Sequence, residues 1–221
     1  MKQLLFEIKT IRLPLLCSLL LCYVLLPAVN WISYDGAPWS ESLGTLLRQA
    51  QMLVPLALSL PLGFRMKTAV EHGTDEVRHA MGACHRAEPA VLLCLEGLLS
   101  LASLPLFLWY VRLYGVFFWQ EWLRTAVQTF FLSNLGLLIA YLTHLPLAAL
   151  TVQVLTGGIM LLFLEDAPGT LARTLNIYAW LTVQQPRPWE PMRITTVFLL
   201  GTGFFFLSVR RMRHYLDLEV L

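Results

Sequence analysis

Apolar residues in this chain gather into long runs separated by a few polar interruptions. Leu13 to about Ile32 is nearly uncharged, and the pattern repeats over 46–64, 89–110, 125–143, 147–164 and 192–209. A helix needs about 20 mainly apolar residues to cross a bilayer. The pattern therefore predicts an all-α polytopic membrane protein of six transmembrane helices in one domain. The fourth and fifth runs meet at His144-Leu145-Pro146. Read as one helix they would span roughly 60 Å at about 1.5 Å per residue, twice a core about 30 Å thick. Two antiparallel spans with a tight turn are the better account. The first run is longer than the roughly 7–15 apolar residues of a signal peptide, so it is read as a retained span. Pro27 is expected to kink or end it.

The polar interruptions differ in kind. Residues 33–45 are turn-rich, with Trp31, Tyr34 and Trp39 as interface aromatics. Trp109 to Arg124 mixes Tyr110, Tyr114, Trp119 and Trp122 with Arg112 and Glu121, and reads as an interfacial belt. In 165–191 the stripe Leu171, Leu175, Tyr178, Leu181 predicts an outer interfacial or re-entrant helix. The longest cytoplasmic interruption, 65–88, holds the clearest helix signals. Thr74 can cap a helix start, Asp75 and Glu76 fit its first turn, and Gly73 and Gly82 allow the turns on either side. Val70, Thr74, Val77 and Met81 share one face. The prediction is a short amphipathic helix over 70–82 with an apolar face to offer.

Composition sharpens this picture. The 221 residues are 57% hydrophobic and 14% charged, with a mean hydropathy of +0.64. Soluble domains carry about 25% charged residues, so an integral membrane protein is the consistent class. Of sixteen basic residues, Lys2, Lys9, Arg12, Arg65, Lys67, Arg78, Arg86, Arg210, Arg211 and Arg213 fall on one side of the predicted topology. The excess marks that side as cytoplasmic, with both termini there. The formal charge of +2 includes no basic block suited to nucleic acid. Cys17, Cys22, Cys84 and Cys94 lack the spacing of a disulfide framework or zinc site.

Candidate chemistry is sparse. His72, His79, Cys84 and His85 share the polar loop, where solvation is the ordinary fate of such residues and no metal is expected. Glu96 lies about 10 Å inside the third run along a helix axis, where carboxylates are rare and usually partnered. A structural hydrogen bond to a neighbouring helix is the leading reading, and a polar point on a substrate route the rival. Gly157-Gly158 suits helix packing. The chain contains no GxxxxGK[ST] phosphate loop.

Glu71, Gly73, Thr74, Glu76 and Val77, with Arg86 beyond, resemble the cytoplasmic coupling segment of ABC-2-type transporter permeases. The chain departs from that pattern at Arg78, His79 and Gly82, where the family continues with apolar residues and then Pro. The resemblance covers the whole chain in architecture but one short motif in sequence. It implies a six-span permease subunit of the bacterial plasma membrane, without catalytic residues or a cofactor of its own. Its partners would be a second permease subunit, identical or sister, and an ABC ATPase subunit that binds ATP and Mg. Val70, Glu71, Gly73, Thr74, Glu76, Val77 and Met81 would form the ATPase-coupling surface. Export of an amphipathic or hydrophobic substrate (peptide, lipid-linked molecule or drug) is the accompanying expectation. A membrane assembly factor or intramembrane enzyme, with no ATPase, is the alternative.

Overall fold

The computed structural model describes residues 2–32, 49–50, 53–65, 88–114, 119–163 and 190–219. The coupling-segment residues Val70, Glu71, Gly73, Thr74, Glu76, Val77 and Met81, and the outer segment up to residue 189, lie outside them. Among the described residues the structure is all-helical. The helices are α1 (Lys2–Thr10), α2 (Arg12–Leu20), α3 (Leu26–Ile32), α4 (Leu53–Arg65), α5 (Glu88–Ala102), α6 (Leu104–Tyr114), α7 (Trp119–Thr143), α8 (Pro146–Phe163) and α9 (Glu190–Glu219). Four stretches among the described residues are long and apolar enough to cross a membrane: Arg12–Val29, Pro89–Arg112, Trp119–Thr143 and Ile194–Arg211. Leu53–Arg65 and Leu147–Gly157 are shorter apolar helices.

Helix α7 is the centre of the bundle. Of its apolar window 61% is buried, against 17% for the first span, whose Leu13, Leu16, Leu20 and Val24 face outward. An apolar exterior is what a lipid solvent permits. Helix α7 packs on α9, α8 and α5, and α5 packs in turn on α1. Two apolar layers close the bundle. One joins Ile11, Leu62, Leu92, Leu95, Leu99, Leu137, Ala140, Ala149, Phe205 and Val209. The other joins Cys22, Leu26, Ala50, Val54, Ala57, Leu58, Leu106, Phe107 and Tyr110, with Trp122 against it. In the first layer the early residues of one helix meet the late residues of the next, and the second reverses this. Successive apolar stretches therefore alternate in direction.

The turn between α7 and α8 follows the sequence reading. His144 takes a left-handed conformation (φ 55°) while its N–H still bonds the Ala140 carbonyl at 2.8 Å. Pro146 then opens α8, where a missing N–H costs nothing. The stretch from Trp109 to Arg124 is largely helical among the described residues. Helix α6 runs to Tyr114 and α7 starts at Trp119, six residues before the predicted span, with Tyr110, Glu121 and Arg124 buried. The reason is local pairing. Arg124 Nη1 donates to both Glu121 carboxyl oxygens at 2.9 and 3.1 Å across one helical turn, so two opposite charges enter the bundle together.

Two helices bend rather than stop. Pro27 cannot donate to the Tyr23 carbonyl four residues back and its ring crowds that oxygen. The five residues just before Leu26 widen into a π-helical turn, Leu21–Leu25, and the helix continues to Ile32. In the third span Pro105 breaks the ladder in the same way. Leu106 N–H turns to the Ser103 carbonyl at 3.2 Å in place of Ala102, and α5 gives way to α6. The Ala102 carbonyl that this releases accepts the Tyr23 hydroxyl.

At the basic end, α1 is amphipathic, with Leu4, Ile8 and Ile11 against the first apolar layer. Between them Glu7 meets Arg65, the last residue of α4: Nε donates to Oε2 at 2.8 Å and Nη2 to Oε1 at 3.2 Å. Both side chains are fully buried. A buried pair is costly to halve, because the survivor keeps its charge without its partner; the loss is about 3–5 kcal/mol. Arg65→Met and Glu7→Gln should each lower unfolding stability on that order. Glu7→Leu with Arg65→Leu should recover most of it. Reversible unfolding in mixed micelles, run on all four proteins, checks the ranking.

Candidate functional site

Polar residues in the middle of the bundle fall into two groups. Thr125, Thr129, Ser59 and Ser208 are buried, yet each hydroxyl donates to a carbonyl of its own helix: Thr125 to Glu121, Thr129 to Thr125, Ser59 to Leu56 and Ser208 to Phe204, all at 2.8 Å. Such back-bonding lets Ser and Thr sit in an apolar environment without reaching another helix. They are structural.

The second group reaches across helices. Gln153 of α8 is fully buried. Its Nε2 donates to the Leu132 carbonyl of α7 at 2.9 Å and lies 3.5 Å from the Ser59 carbonyl of α4. The approach needs a glycine opposite. A Cβ at Gly136 would stand 2.1 Å from Gln153 Nε2 and 2.5 Å from Cδ, and one at Gly63 3.3 Å from Oε1. Gly136 and Gly63 are thus the two walls of a slot for one amide. Gly157 is buried within the chain, which suits a helix-packing position.

Glu96, the intramembrane carboxylate of the sequence, is 3% exposed on α5 and sits among Leu92, Leu95 and Leu99 of the first apolar layer. Its neighbour is Asn134 of α7, fully buried, whose amide stands beside the carboxyl, although no contact between them has full hydrogen-bond geometry. Asn134 Nδ2 instead donates to the Phe130 carbonyl of its own helix at 2.8 Å. Glu96 Oε1 and Oε2, Asn134 Oδ1, Ser133 Oγ and Gln153 Oε1 are all buried without a hydrogen-bond partner. The neighbouring-helix residue nearest to what was expected for Glu96 is Asn134. Sequence reading passed over Asn134 and Gln153; the signal available was an amide inside an otherwise apolar run.

What this level can do chemically is limited and specific. It offers amide, hydroxyl and carboxyl groups in a water-poor interior, and among the described residues no group of three or more His, Cys, Asp or Glu gathers as a metal site. Gly136→Ala should displace Gln153 and lower the melting temperature of the purified protein in detergent. Gly97→Ala, where an added Cβ meets nothing within 4 Å, should be neutral or raise stability by up to about 1 kcal/mol through helix propensity. Equal melting shifts for both variants would remove the slot from the account.

Comparison with protein-family models, curated proteins and solved structures finds no match to this chain.

Proposed function

We propose that this chain is a six-span permease subunit of an ABC transporter, with the 66–87 segment as its cytoplasmic coupling element. The observation that carries the reading is the first apolar layer. It unites Ile11, Leu62, Leu92, Ala140, Ala149 and Val209, so α1, the end of α4, the start of α5, the α7–α8 turn and the basic end of α9 share one face. Lys9, Arg12, Arg210 and Arg211 are exposed there. A face rich in basic residues supports a cytoplasmic assignment. The six apolar helices alternate in direction, which supports six crossings and cytoplasmic termini in a plasma membrane.

Helix α4 ends at Arg65, which Glu7 holds in a buried fork, and α5 begins at Glu88. A push on the segment would therefore act on α4 and α5, and through α5 on the central α7. On this reading the ATPase subunit binds ATP and Mg, the apolar side chains Val70, Val77 and Met81 fill a groove on it, and Glu71, Gly73, Thr74 and Glu76 set the shape and charge of the helix start. A second permease subunit completes the route, and an amphipathic or hydrophobic substrate is exported. This chain is then a subunit of a transporter and not itself an enzyme.

Single cysteines placed at 39 and 75, in a background without Cys17, Cys22, Cys84 and Cys94, test the topology. Position 39 should react with an impermeant maleimide in intact cells, and position 75 only after the cells are opened. Docking is tested by co-purification of the ATPase with Val70→Asp/Val77→Asp. A buried apolar side chain contributes about 1.5–3 kcal/mol, so even partial burial of two should cost at least about tenfold in affinity. Unchanged co-purification and ATP hydrolysis in a protein that still inserts would favour the assembly-factor reading.

A further inference from the structure

In a lipid-embedded bundle every buried polar atom must find its partner within the protein. Glu96 and Asn134 do not meet that condition as two acceptors. An ionised carboxylate has no hydrogen to donate, and neither has an amide oxygen. Glu96 Oε1, Glu96 Oε2 and Asn134 Oδ1 are nevertheless buried with their hydrogen-bonding capacity unused, and the Asn134 side chain is the polar neighbour of the Glu96 carboxyl. Asn134 Nδ2 has given one of its two hydrogens to Phe130, which leaves one.

Charge offers no remedy. On α1, Glu7 is taken by Arg65 of α4, and Lys9 is exposed. On α6, Arg112 is exposed. On α7, Arg124 is joined to Glu121, ten residues from Asn134, about 15 Å along the helix. A hard metal cation asks for about six oxygen ligands, and the pair supplies three. A single hydrogen ion removes all the mismatches at once.

We propose that Glu96 and Asn134 form an intramembrane proton-binding site, with the proton on one Glu96 oxygen and donated to Asn134 Oδ1. The free hydrogen of Asn134 Nδ2 returns to the other Glu96 oxygen, closing a ring of two hydrogen bonds between α5 and α7. Loading is the addition of one hydrogen ion to the carboxylate, with no other bond made or broken. Any rearrangement that parts α5 from α7 separates acid from amide, so opening of the bundle at this level and exposure of the proton are one event. The site goes beyond the permease reading and stands whether or not an ATPase docks on the chain.

Infrared spectroscopy of the full-length protein in liposomes tests it. The difference between wild type and Glu96→Gln should contain one carboxylic-acid carbonyl band, which moves on exchange into D2O. Asn134→Leu should keep that band and shift it to higher frequency, because the acid has lost its acceptor. Loss of a pair of carboxylate bands in Glu96→Gln, in place of the acid band, overturns the proposal. If Glu96→Gln fails to insert, wild-type protein decides alone. A membrane-soluble carbodiimide reacts with the acid form, so mass mapping should find Glu96 as the main modified carboxyl, and an unmodified Glu96 beside labelled surface carboxyls overturns the site.

Discussion

Polar atoms shut between apolar helices have no water to fall back on, and the whole bundle is arranged around that constraint. Each long-range tie in the structure is an answer to it. The fork between Glu7 and Arg65 lets two full charges sit at zero exposure and fixes α1 to the end of α4. The Gln153 amide spends its donor on the backbones of two other helices. Packing alone would leave these helices free to slide, because dispersion contacts between leucines are nearly interchangeable. The polar ties set the register.

The same constraint separates support from function. Thr125 and Thr129 are satisfied inside α7 and ask nothing of their neighbours. Glu96 and Asn134 are placed by packing that is unrelated to hydrogen bonding: Leu92, Leu95 and Leu99 set the face of α5, and Leu137 sets that of α7. Their juxtaposition is held by the leucines even though the polar atoms are unmatched. A position where the surroundings enforce an unsatisfied pair is where a ligand, here a proton, has something to complete.

The sequence was most legible where one residue type decides the matter. Long uncharged runs gave the helices, and His144-Leu145-Pro146 gave the reversal, because a proline opening a helix and a residue able to turn left-handed leave few alternatives. Glu96 stood out because a carboxylate in an apolar run is rare. Its neighbour did not, since Asn134 lies 38 positions away and nothing local points from one to the other. Arg65 was legible as the end of a span, but its burial was not: Glu7 is 58 residues distant and lies ahead of the first apolar run. The early start of α7 was not legible, because Glu121 and Arg124 look like isolated charges when taken one by one. Only as a pair on one helix face do they become admissible in the interior.

The two bends in the bundle carry a mechanical consequence. Pro27 and Pro105 distort different helices, and each distortion alone would be a separate soft point. The hydroxyl of Tyr23, inside the first distortion, holds the backbone oxygen that the second one releases. If the third span straightened, Ala102 would reclaim its own helical partner and the hydroxyl would be stranded. If the first span rewound, Tyr23 would swing away and leave that carbonyl bare. The two soft points therefore act as one linkage, with a single degree of freedom where two prolines would otherwise supply two.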